Sequence, residues 1–140
     1  MKTIILYRPI GLKELELIIE SGFSKFPPRL NWQPIFYPVM NEDYASEIAL
    51  KWNTGDEFSG YSGFVTAFKV NTEYIKKFEV RNVGGEIHNE LWVPSEEMEL
   101  FNNQIEGKIE VTKTFLGNQF QRSNDKVINE IIEKAEVKKA

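Results

Sequence analysis

His88, Glu90 and Trp92 stand at every second position within the stretch Gly84 to Met98, and His88 is the only histidine of the chain. An imidazole can move a proton near neutral pH, a carboxylate can steady a developing positive charge, and an indole can wall the groove in which either works. Alternation at period two puts these three on one face of an extended segment and Ile87, Leu91 and Val93 on the other. A carboxylate on a strand is costly to bury unless it is paired, so Glu90 either faces water or lines a site. Trp92 beside it points to a partly covered groove. Gly84-Gly85 marks a turn before the segment, and Pro94 ends it because proline has no N–H for a ladder. Ser95 is expected to cap a helix whose first turn carries Glu96 and Glu97.

The elements that must position this stretch are read in order. Thr3 to Tyr7 is a short buried strand bounded by Arg8 and Pro9. Arg8 at its end is either a surface guanidinium or a fork aimed into a cleft for phosphate or carboxylate. Leu12, Leu15, Ile18 and Ile19 recur at helical spacing, and Ser21-Gly22 supplies a left-handed stop. Phe23 to Pro34 reads as an ordered loop pinned by prolines and aromatics. Ile35 to Val39 is a strand, and Asn41 caps a helix with the stripe Tyr44, Ala45, Ile48, Ala49 and Trp52. Asn53 to Gly63 is a Gly-broken loop, Phe64 to Val70 a strand, Thr72 to Tyr74 a turn, and Phe78 to Val83 extended. A third helix buries Met98, Phe101 and Ile105, a last strand holds Ile109, Val111, Thr112 and Phe115, and an amphipathic terminal helix follows Ser123-Asn124.

At 140 residues with 41% hydrophobic content the chain is expected to form one α+β domain over 1–140, with 119–140 a helical C-terminal extension. A net charge of -4 and scattered basic residues disfavour a general nucleic-acid surface. Without cysteine there is no disulfide, thiol chemistry or cysteine-held metal, and a lone His88 makes no histidine cluster, so no metal is expected. Ile4-Ile5-Leu6 is too short a run for a signal-peptide core, which implies a cytoplasmic protein without a membrane span.

Leu6-Tyr7-Arg8 with Leu15 to Gly22, Ile35-Phe36-Tyr37 followed by Glu42-Asp43-Tyr44-Ala45, and Glu90-Leu91-Trp92-Val93-Pro94 together resemble the ADP-ribosyltransferase-like superfamily over residues 3–112. They also resemble small bacterial proteins that carry an ADP-ribosylation/crystallin label. The resemblance implies a split, mostly antiparallel sheet flanked by helices, with NAD as substrate in the cleft between its halves. It implies that Arg8 holds the dinucleotide, that Tyr37, Tyr44 and Trp92 line its site, and that Glu90 bonds the ribose 2'-hydroxyl as the catalytic carboxylate. His88 stands where arginine-modifying members have an acid or glutamine, which points away from arginine as acceptor and towards His88 as a base for another group. The acceptor, a protein or a nucleic acid, and the oligomeric state are left open. Two further readings remain: a non-catalytic module binding a protein or nucleotide through Trp32, Phe36, Tyr37, Tyr61 and Trp92, and a helper protein docking through its terminal helix.

Overall fold

A computed structural model describes residues 2–137. The fold is α+β, with two three-stranded antiparallel sheets and helices packed on them. The first sheet has the order β1 (Thr3–Ile10), β3 (Ser62–Asn71), β6 (Ile105–Leu116), and the second the order β2 (Ile35–Phe36), β5 (Asn89–Pro94), β4 (Glu79–Asn82). Val39 joins them: it bridges Tyr7 on one side and Glu90 on the other.

β1 does not stop at Tyr7 as expected but runs through Arg8 and Pro9 to Ile10, with Pro9 opposite Val65. The reason lies in strand parity. Tyr7 exchanges both backbone bonds with Val39, away from β3, and Pro9 directs its nitrogen to that same edge. Among the described residues no strand lies beside β1 there, so the missing donor leaves no ladder bond unmade.

Helix α1 (Leu12–Glu20) ends as its sequence requires. Gly22 takes φ +74°, the Gly22 N–H bonds to the Ile19 carbonyl and the Phe23 N–H to the Ile18 carbonyl, which satisfies the last turn. Leu6, Ile10, Leu15, Ile18, Phe26, Phe36, Phe64, Phe68, Leu91, Val93 and Phe101 form the main core on this side. Helix α2 (Glu42–Lys51) packs on the opposite face, where Ala45 and Ala49 meet Val39, Val65 and Phe115 in a second core. Asn41 caps it, its side chain accepting from the Asp43 and Tyr44 N–H groups. Gly63 belongs to β3 rather than to the preceding loop; a Cβ there would lie 2.7 Å from the Ala49 carbonyl oxygen, so α2 sits this close only because the side chain is absent.

Other boundaries also differ from the sequence reading. Thr72–Ile75 is a short helix, α3, capped by Asn71, rather than a turn. β5 begins at Asn89, so Ile87 lies in the turn before it and not on its buried face. Ser95 makes no side-chain cap; Ser95–Glu97 is a 3-10 turn leading into α4 (Met98–Asn103), and Ile105 already starts β6. Asn53–Gly55 and Glu57–Ser59 are 3-10 turns within the expected loop. Helix α5 (Lys126–Ala135) is capped by Asp125 instead of Ser123 or Asn124, and buries Ile128 in the main core with Ile131 and Ile132 packed beside it. No helix among the described residues is long and apolar enough to cross a membrane.

Candidate functional site

On the α2 side, where the two sheets part beyond Val39, a cleft of about 390 Å³ is lined by Arg8 and Pro9 of β1, Tyr37 and Val39 of the link, Glu90 and Trp92 of β5, and Ile48, Trp52 and Asn53 from α2 and the turn after it. Leu91 and Val93 are buried, and Glu90 and Trp92 turn to the other face, as the alternation requires. The Glu90 carboxylate is held from both sides. Tyr44 Oη donates to its Oε2 at 2.6 Å, and Trp92 Nε1 donates to its Oε1 at 3.2 Å. Burial and the adjacent Glu90 carboxylate drive the Tyr44 phenol far above its usual range, so its proton stays in that bond.

Tyr37 meets Trp92 edge to face with centroids 5.3 Å apart, and the Arg81 guanidinium covers the Trp92 ring at 3.8 Å. Trp52 stands across the cleft and is 69% exposed. Of the five aromatics assigned to an aromatic cleft, only Tyr37 and Trp92 line it: Phe36 is buried in the core, Trp32 is 75% exposed on its own loop, and Tyr61 lies outside the lining with φ 57°.

Arg8 is a lining residue whose fork is partly engaged. Nε and Nη2 donate to the two oxygens of Glu14 on α1 at 2.8 and 3.0 Å, and the guanidinium carbon lies 4.6 Å from the Phe36 ring centroid. Nη1 has no protein partner among the described residues.

His88 has both ring nitrogens occupied. The Gly85 N–H donates to Nδ1 at 2.9 Å, which makes Nδ1 the acceptor of the neutral ring and places the proton on Nε2, 3.0 Å from Glu47 Oε2. Its ring packs against Tyr44 at a tilt of 36°, with centroids 4.5 Å apart. His88 thereby ties the Gly84-Gly85 turn to α2 and braces the phenol that holds Glu90. The same contact holds the Glu47 carboxyl below the usual range, against an opposing effect of burial.

Glu47, Asn53 and Glu14 were not singled out in the sequence, and Ile48 and Trp52 were read only as part of an apolar helical stripe, not as cleft residues. A usable signal existed for Glu47, Ile48 and Trp52, since with Tyr44 they fall at helical spacing on one side of α2. None existed for Glu14, whose pairing with Arg8 depends on where α1 crosses β1. A larger groove of about 610 Å³ lies between α1, Phe26 to Pro28 and α4, but its charged lining is mostly acidic and no cation meets a carboxylate against an aromatic wall there. No family model, no curated protein and no solved structure matches the chain.

Proposed function

We propose that this protein is an ADP-ribosyltransferase-like, NAD-binding protein that uses the cleft between Arg8 and Glu90 to break the bond between nicotinamide and ribose. The observation that carries the reading is the shared cleft: the guanidinium-bearing strand β1 and the carboxylate-bearing strand β5 open onto one space, with Tyr37 and Trp92 as its aromatic wall. That volume suits the nicotinamide and ribose end of a dinucleotide, and the remainder extends outward past Arg8.

In this reading the bonding pair of the C1'–N bond leaves with nicotinamide, which departs neutral, and positive charge spreads over C1' and the ring oxygen of ribose. Glu90 accepts the 2'-hydroxyl and opposes that charge, an interaction stronger in the transition state than in the ground state. Tyr44 and the Trp92 N–H hold the carboxylate in place beforehand, so that it does not reorganise as charge develops. Water or an acceptor hydroxyl or amine then bonds to C1' and gives up its proton to bulk solvent, yielding free ADP-ribose or an ADP-ribosylated acceptor. With both nitrogens of His88 engaged, its role in this scheme is to position Tyr44 and the turn.

The alternative is a binding module that uses the same cleft without turnover, favoured by the exposed indole of Trp52, which shares the lining with Trp92. Nicotinamide release from NAD by the purified protein and by Glu90→Gln separates the two. Release that depends on Glu90 supports the enzyme; NAD binding without release, equal in both proteins, supports the module; neither binding nor release rejects both.

A further inference from the structure

Two guanidinium groups share one aromatic ring. The Arg8 Cζ lies 4.6 Å and the Arg29 Cζ 5.9 Å from the Phe36 centroid. The nearby carboxylate, Glu14, gives both of its oxygens to Arg8. Arg29 is partly buried, its Nε is enclosed with no hydrogen-bond partner, and among the described residues no carboxylate lies within ion-pair distance of it. A cation partly removed from water beside another cation is unfavourable unless an anion answers it. Burial first and Arg8 second lower the proton affinity of Arg29, and Glu14 and Tyr37 oppose them. Arg8 and Tyr37 are both cleft residues, so the uncompensated charge sits at the edge of the site and not in a remote corner of the fold.

We propose that Arg29, together with the free Nη1 of Arg8, forms an oxyanion-binding end to the cleft that takes a phosphoryl group. A carboxylate has two coplanar oxygens and suits one fork, which Glu14 already occupies at Arg8. A phosphoryl group offers oxygens in several directions and can bridge two guanidinium groups at once. The surplus of one positive charge in the trio Arg8, Arg29 and Glu14 suits an anion of this kind. The identity of the whole ligand rests on the dinucleotide reading; the existence of the anion site does not.

Calorimetric titration of inorganic pyrophosphate and of malonate into the parent protein, Arg29→Gln and Glu14→Gln tests it. The parent binds pyrophosphate saturably and more tightly than malonate, with affinity falling as salt rises. Arg29→Gln weakens pyrophosphate by about tenfold or more while its melting temperature holds or rises, because an unpaired partly buried charge has been removed. Glu14→Gln tightens pyrophosphate, since a competing carboxylate is gone, and this arm stands even where Arg29→Gln folds poorly. Equal pyrophosphate affinity in Arg29→Gln and parent, no saturable binding by the parent at about 10 mM, or weaker binding by Glu14→Gln overturns the proposal, as does a preference for malonate. A parallel titration with NAD separates the two readings: pyrophosphate binding that depends on Arg29 without NAD binding leaves the anion site standing and removes the dinucleotide, whereas NAD binding unchanged in Arg29→Gln removes Arg29 from the site and leaves the dinucleotide.

Discussion

The Tyr44 hydroxyl donates to Glu90 Oε2 at 2.6 Å, a bond from the first turn of α2 to the middle of the cleft wall. It fixes the carboxylate before any ligand arrives, and the two residues are expected to act as a unit. Glu90→Gln keeps the shape and removes the charge; under the proposed NAD cleavage, nicotinamide release should fall by a factor on the order of 10² to 10³ with little change in KM. Tyr44→Phe leaves the carboxylate charged but less well held, and the loss in kcat should be nearer tenfold. Steady-state release kinetics of both single variants and the double variant test this. A double variant no worse than Glu90→Gln alone shows the coupling, and fully additive losses reject it.

Two carboxyl groups link the fold to acid pH. The His88 contact holds Glu47 below the usual glutamate range, and bonds from Lys77 and Tyr74 do the same for Glu97. A depressed folded-state pKa contributes stability that is present above the unfolded value and lost as pH falls through the folded one. Urea midpoints should therefore hold from neutrality down to about pH 5 and decline between about pH 5 and 3. The Glu47→Gln/Glu97→Gln variant should decline less over that window. A variant curve parallel to the parent's would show that neither group is coupled to folding.

What was legible in the chain is what short-range physics decides. Asn41 and Gly22 do what their side chains, or the lack of one, require, and the period-two face of Leu91 and Val93 is buried as read. The errors occur where long-range pairing overrides a local signal. Pro9 reads as a strand end, yet β1 continues because its open edge needs no donor at that position. Ile105 has helical spacing from Phe101, yet pairs with Val70 in β6. Of the six residues expected at a site, Arg8, Tyr37, Glu90 and Trp92 line one cleft, whereas Tyr44 and His88 lie outside its lining, Tyr44 bonded to Glu90 and His88 packed on Tyr44. Glu14 was not legible, since its pairing with Arg8 is chosen by a helix crossing that no local pattern encodes.

The approach of α2 to β3 depends on Gly63. A methyl group there would meet the Ala49 carbonyl oxygen at 2.7 Å and the Ala49 Cβ at 2.8 Å, and neither belongs to a flexible chain end that can swing aside. Gly63→Ala should push α2 outward and destabilise the protein by about 1–3 kcal/mol, measurable as a lower urea midpoint with an unchanged slope. Because Tyr44, Glu47, Ile48 and Trp52 ride on the same helix, the variant should also loosen the cleft and lower affinity for the proposed dinucleotide. Stability and affinity both unchanged would mean that α2 is not held at this distance.

The terminal helix carries an apolar side that could serve either its own domain or a partner, and its packing gives the first answer. Ile128 is 1% exposed within the main core, Ile131 and Ile132 lie against that core, and Asp125 caps the helix by accepting from the Val127 and Ile128 N–H groups. The Val137 N–H then bonds to the Thr114 carbonyl, fastening the end of the segment to β6. Ile128→Ala should cost about 2–5 kcal/mol, and Asp125→Ala about 1 kcal/mol, in chemical denaturation of the whole chain. If α5 were instead a docking element resting loosely on the domain, both substitutions would leave the denaturation midpoint near the parent's. Amide exchange would then show α5 opening far more readily than β6, whereas a helix integral to the core protects its amides to nearly the same free energy as the strand it covers.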